Sequence, residues 1–161
     1  SYMQHHGFNM LRKHCKLEPF RFYYHCDRLG MLVWQDMVNG GFPYDMMKVC
    51  YLPTALPKLI GKWKDTGKQS YVRSGRETQE SRRVWKEESA HTIDVLFSFP
   101  CIAAWVLFNE GWGQFDANLC LDFAKKIDEE EDCEKLIIKL LFILHNFQNY
   151  SIITEGSLNT K

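Results

Sequence analysis

A glutamate stands directly after an eight-residue apolar run, Cys101 to Phe108, with Asn109 before it and Gly111-Trp112-Gly113-Gln114 after it. Apolar and aromatic neighbours disfavour the charged form of a carboxyl group. That is how a Glu comes to hold a proton near neutral pH and act as a general acid. Glu110 is therefore a candidate catalytic acid. Asn109 offers hydrogen bonds to a hydroxyl, and Trp112 offers a flat apolar face to the C–H groups of a sugar ring. The plainer alternative makes Glu110 a cap for the following helix and Trp112 a filler between loop and core.

The elements that must position these residues read as repeated strand, loop and helix. Gly7 to Leu11 is apolar until it meets Arg12, Lys13 and His14, as a buried strand does where it emerges into a polar loop. Glu18 to Arg28 follows as a short helix, with Pro19 suited to the first turn and Gly30 just beyond the end. Met31 to Trp34 is a second strand ending in Gln35 and Asp36. Asn39 to Gly75 is dominated by Gly and Pro and reads as a long loop with short helices; a loop of that length in a compact domain is more often functional than accidental. Glu77 to Leu96 places Val84, Trp85, Ile93 and Leu96 along one helical stripe, and Cys101 to Phe108 is too short for a typical helix and suits a strand buried on both faces. Phe115 to Asp132 continues as a helix. Three such units are the signature of a parallel α/β sheet. The segment from Cys133 to Lys161 has no clear period and stands apart as a divergent tail.

Composition narrows the functional classes. The 161 residues are 45% hydrophobic and 25% charged, as in globular proteins, and 20 basic residues balance 20 acidic ones, so no nucleic-acid or anionic-membrane partner held by bulk charge is expected. The longest apolar run near the end, Leu136 to Leu144, is broken by Lys139 and falls well short of the ~18 to 20 residues of a spanning helix. The chain has neither an initiator Met nor a signal-peptide pattern and is expected to begin within a domain. The cysteines at 15, 26, 50, 101, 120 and 133 show no C-x-x-C spacing, which indicates free thiols rather than a disulfide framework or zinc ribbon. His14-Cys15 and His25-Cys26 together could supply four zinc ligands, but adjacent ligands strain a tetrahedron, so neither metal nor cofactor is expected.

Three segments in order carry a family resemblance. Asn109-Glu110-Gly-Trp-Gly-Gln-Phe-Asp116 after a strand resembles the acid/base segment of glycoside hydrolase family 2. Gly7-Phe-Asn-Met-Leu-Arg-Lys-His14 is similar to that family's second barrel strand, and Tyr24 to Asp36 to its third strand with the preceding helix. The resemblance implies an incomplete (β/α)8 barrel, with residues 1–132 as the partial barrel, 133–161 as a tail read as helical, and three units resembling strands two to four. It implies hydrolysis of β-linked sugars with retention, a carbohydrate substrate, Glu110 as acid/base and Asn109 contacting the sugar. Arg12, His14, Trp34 and Asp36 fall at strand ends lining the same pocket, where Arg12 helps to position carboxylates. The plainer alternatives for Arg12 and Trp34 are a surface cation over apolar neighbours and barrel core.

Retention needs a second carboxylate ~5 to 5.5 Å from the first, and the family carries it on a later strand. A barrel takes roughly 250 residues, so the isolated chain is expected to be inactive and to self-associate through exposed barrel edges. Ile152-Ile-Thr-Glu155-Gly156 is similar to the strand end on which the family's nucleophile stands, which makes Glu155 the candidate within this chain. The alternative function is a non-catalytic interaction or carbohydrate-binding module.

Overall fold

The structure, a computed structural model, describes residues 2–51, 64–109, 113–130 and 136–138. Its elements run in the order α1 (Tyr2–His5), β1 (Met10–Lys13), α2 (Phe20–Leu29), β2 (Leu32–Asp36), a π-helical turn (Met47–Tyr51), α3 (Lys68–Arg73), α4 (Gln79–Leu96), β3 (Ile102–Val106), α5 (Ala117–Glu130) and β4 (Leu136–Ile138). Among the described residues, four strands form one parallel sheet in the order β1-β2-β3-β4. The chain is thus of the α/β class, with each crossover stepping to the next position in the same direction. Right-handed crossovers that all step one way lay their helices on a single face of the sheet.

Side-chain bonds agree with that geometry. Successive residues of a strand point to opposite faces, and the face carrying Leu11, Val33, Gln35 and Trp105 is the helical one. The Tyr23 hydroxyl of α2 donates to Gln35 Oε1 at 2.7 Å, and Trp105 Nε1 donates to Asp128 Oδ1 of α5 at 3.0 Å. Gln35 is buried yet satisfied, because its Nε2 also donates to the carbonyls of Lys16 and Asp36. Met10, Arg12, Leu32, Trp34 and Asp36 alternate onto the opposite face.

Local chemistry explains where the helices start and stop. Helix α2 ends at Gly30, whose φ of 63° is the left-handed turn that glycine adopts without a Cβ penalty. Helix α4 starts at Thr78, whose Oγ1 accepts from the Ser81 amide. Trp85 of α4 then stacks on Phe108 with centroids 4.6 Å apart, and Phe115 closes edge-on at 5.4 Å from Trp85.

Three expectations need correction. The first strand spans Met10–Lys13 rather than Gly7–Leu11, and the second Leu32–Asp36 rather than Met31–Trp34. In both cases polar residues read as the exit of the strand lie inside the ladder, because their side chains are paired. Leu136–Ile138 is not helical; it pairs with Ala104–Val106 as the fourth strand, so the sheet reaches into the segment read as a separate tail. Residues 139–161, including Glu155, lie outside the described residues.

Candidate functional site

The C-terminal ends of β1, β2 and β3 converge. Arg12 on β1 donates from Nε to Asp36 Oδ1 at 3.0 Å and from Nη2 to Asp36 Oδ2 at 3.1 Å, a two-point grip that matches the planar guanidinium to the carboxylate. The same Nη2 donates to Asn109 Oδ1 at 2.8 Å, 97 positions along the chain. The Asp36 side chain, at the end of β2, is fully buried, whereas that of Arg12 is 37% exposed. Burying a carboxylate without a partner is costly, so the exposed arginine is what permits the buried aspartate.

The bond from Arg12 also fixes Asn109. Since Nη2 is donor-only, the amide oxygen must face it and the NH2 group must face away. Asn109 is buried, and its Nδ2 has no partner among the described residues. His14 and Cys15 complete the cluster from the loop after β1. His14 Nδ1 lies 3.3 Å from Asp36 Oδ2, and the Cys15 thiol points at the same oxygen from 3.9 Å. Trp34 stands two residues before Asp36 on the same face and is half-buried, paired in register with Arg12 and Ala104.

Of the expected site residues, Arg12, His14, Asp36 and Asn109 are brought together, and Trp34 shares their face of the sheet. The alternative of Arg12 as a lone surface cation is overturned by its three bonds. Glu110, Trp112 and Glu155 lie outside the described residues.

A second set of residues, not found from the sequence, grips the chain at Gly113. Arg76, 2% exposed, donates from Nε to the Gly113 carbonyl at 3.2 Å and from Nη1 to the Ser81 carbonyl at 3.2 Å, with its guanidinium over the Phe115 ring at 5.7 Å. Its Nη2 has no partner among the described residues. Burial pulls its pKa down to about 10, which still leaves the group charged at neutral pH. Gly113 has φ of 64°, and a Cβ there would meet Asn39 Oδ1 at 2.8 Å and Arg76 Nη2 at 3.3 Å, so both backbone and space demand glycine.

Downstream, Asp65 Oδ2 accepts from Gln114 Nε2 and from the Ala117 amide, each at 2.9 Å, which caps α5. Tyr71 donates its hydroxyl to the Asp116 carboxylate at 2.8 Å; that bond, then burial, pushes the phenol pKa up. Arg82 lies over the Tyr71 ring at 4.1 Å. Asp65, Tyr71 and Arg76 come from the Gly-rich stretch and its border with α4. The only sequence signal for them was the length of that stretch.

The arrangement can do three things chemically. It presents a hydrogen-bond donor at Asn109, it holds a carboxylate under fixed positive charge, and it fixes Asn109 and Gly113, which stand on either side of Glu110 in the sequence. A scan against protein-family models finds no match for the chain, and a search of curated proteins finds none either.

Proposed function

We propose that this chain is part of a retaining glycoside hydrolase acting on β-linked sugars, with a partial (β/α)8 barrel as its scaffold and Glu110 as proton donor and later general base. The observation that carries the proposal is the three-way bond of Arg12, Asp36 and Asn109 across the C-terminal ends of neighbouring parallel strands, with Glu110 next in the chain after Asn109. Active sites of (β/α) barrels are built at that end of the strands. Sequential strand order also supports a barrel over a doubly wound sheet, in which the order reverses at a switch point.

In this reading Asn109 gives its Nδ2, which has no partner among the described residues, to a sugar hydroxyl, while Arg12 keeps the amide from flipping. Asp36 is the counter-charge that keeps Arg12 in place and is not itself the nucleophile, because both of its oxygens already accept from Arg12. Glu110 protonates the leaving oxygen, a second carboxylate forms the glycosyl-enzyme, and Glu110 then takes a proton from the water that releases the sugar. Glu155 is the candidate for that second carboxylate within the chain; otherwise the chain binds sugar without turning it over.

The competing reading, a non-catalytic interaction module, is favoured by one observation. Met10 and Leu32 lie on the face opposite the helices and are 41% and 45% exposed, an apolar surface that a partner would cover. The test is turnover of a panel of aryl β-glycosides by the purified chain, paired with ligand-detected magnetic resonance of a β-glycoside, for the native chain and for Glu110→Ala and Glu155→Ala. Turnover that is lost in Glu110→Ala supports the hydrolase, whereas binding without turnover is the behaviour of the carbohydrate-binding module. Turnover lost in both variants places the second carboxylate at Glu155. A folded chain that neither binds nor cleaves overturns the hydrolase in favour of the interaction module.

A further inference from the structure

We propose that His14, Cys15 and Asp36 form a zinc site at the mouth of the strand-end cluster. A ring nitrogen of His14, Cys15 Sγ and a carboxylate oxygen of Asp36 all lie within 4.8 Å of one another. Two of the edges are 3.3 Å, from Nδ1 to Oδ2, and 3.9 Å, from Sγ to Oδ2. Zinc bonds run to about 2.0–2.1 Å for imidazole, 2.3 Å for thiolate and 2.0–2.2 Å for carboxylate. Tetrahedral ligands at those lengths stand roughly 3.3–3.6 Å apart, so the first edge already has that length and the second needs the thiol to move in by a few tenths of an ångström.

The convergence of neighbours is itself unusual. Adjacent residues on an extended chain point to opposite sides, which adds to the strain that adjacent ligands put on a tetrahedron. Cys15 resolves the difficulty with φ of 50°, a left-handed conformation that a non-glycine residue rarely takes. This turn brings the thiol toward the oxygen that His14 also faces. The second pair does not contribute: Cys26 is buried in the core under α2, and His25 is exposed on that helix.

The donor set selects the metal. One nitrogen, one sulfur and one oxygen suit zinc, whereas magnesium and calcium require mostly oxygen. Arg12 on Asp36 leaves the carboxylate to be shared between the guanidinium and the ion, which argues for a site held chiefly by His14 and Cys15 with Asp36 completing it. His14 is exposed and Cys15 half-buried, so the fourth position opens to water. An ion there stands beside Arg12 and Asn109, and zinc would obstruct whatever ligand the cluster takes. The proposal does not depend on that ligand being a sugar.

The experiment uses the whole chain with its thiols reduced. Zinc affinity is measured by competition with a chromophoric chelator, and cobalt is substituted as a spectroscopic probe. The expected result is one tight site, a thiolate-to-cobalt charge-transfer band, and a loss of affinity of about tenfold or more in Cys15→Ser and in His14→Ala, on the scale by which even outer-shell changes weaken metal sites. The double variant His5→Ala/His6→Ala, which removes the exposed histidines at the end of α1, should keep the site. In the native chain zinc should also protect Cys15, and no other thiol, from alkylation, a readout that holds even if a variant fails to fold. Affinity lost only with His5 and His6, a cobalt spectrum without the thiolate band, or Cys15 alkylated at the same rate with and without zinc overturns the proposal.

Discussion

Replacing Arg12 by Met keeps the length of the stem and removes the guanidinium, which deletes two charge-assisted bonds to Asp36 and one to Asn109. Removing one member of a buried ion pair costs about 3–5 kcal/mol, chiefly because the other charge is left buried alone. Here the aspartate side chain is fully buried but the arginine is 37% exposed, so water can enter the vacated space and solvate the carboxylate in part. Discounting for that entry gives an expected loss of about 2–3 kcal/mol. The double variant Arg12→Met/Asp36→Leu removes both charges and should recover more than half of the loss, since no buried charge is then left unpaired and only the bond to Asn109 stays lost. Urea unfolding followed by far-ultraviolet circular dichroism reads both values, with the slope checked for constancy. A loss below about 0.5 kcal/mol for Arg12→Met, the level of an ordinary surface contact, would refute the reasoning. So would a double variant less stable than either single one.

Gly113→Ala should cost about 1–2 kcal/mol for the left-handed backbone alone, with a further loss from contact with Asn39, read as a lowered thermal midpoint; an unchanged midpoint would show that the turn relaxes freely. The phenol of Tyr71 should titrate above the ordinary tyrosine range by ultraviolet absorbance, and Asp116→Asn should bring it back. The sign follows: a folded-state pKa above the unfolded one stabilises the fold below about pH 10, the ordinary tyrosine value, and this is lost as pH rises through the folded value. Burial pushes the thiols of Cys101 and Cys120 up to about 12, so brief iodoacetamide treatment at pH 8 should label Cys15 well ahead of both by peptide mass mapping.

What was legible in the sequence follows from which residues advertise themselves by period or by punctuation. Glu18 to Arg28 and Glu77 to Leu96 match α2 and α4 closely, the first because Pro19 and Gly30 mark its ends and the second because Trp85, Ile93 and Leu96 recur on one buried stripe. Apolar runs located the strands but misplaced the first two, since a run of hydrophobicity cannot report that Gln35 and Asp36 are buried with every bond made. Leu136–Ile138 was hidden because three residues are too few to show a period. Arg12, His14, Asp36 and Asn109, whose side chains meet, were singled out through strand ends and a family resemblance rather than through any single motif. Arg76 escaped altogether, for nothing in Ser74-Gly75-Arg76 announces that this cation is buried among backbone carbonyls and an aromatic ring.

The sequential order of the strands also dictates a history for the cluster at their ends. Arg12 pairs in register with Trp34, 22 residues on, whereas Trp34 pairs with Ala104, 70 residues on. Closing the longer loop costs about 1 kcal/mol more in chain entropy than closing the shorter. The first two strands therefore meet early, and the Arg12–Asp36 grip forms within that unit. Asn109 arrives only when β3 docks, to find an arginine already held in position. Pulsed hydrogen exchange during refolding would register this order as protection of β1 and β2 amides ahead of β3; simultaneous protection would mean that the sheet assembles in a single step.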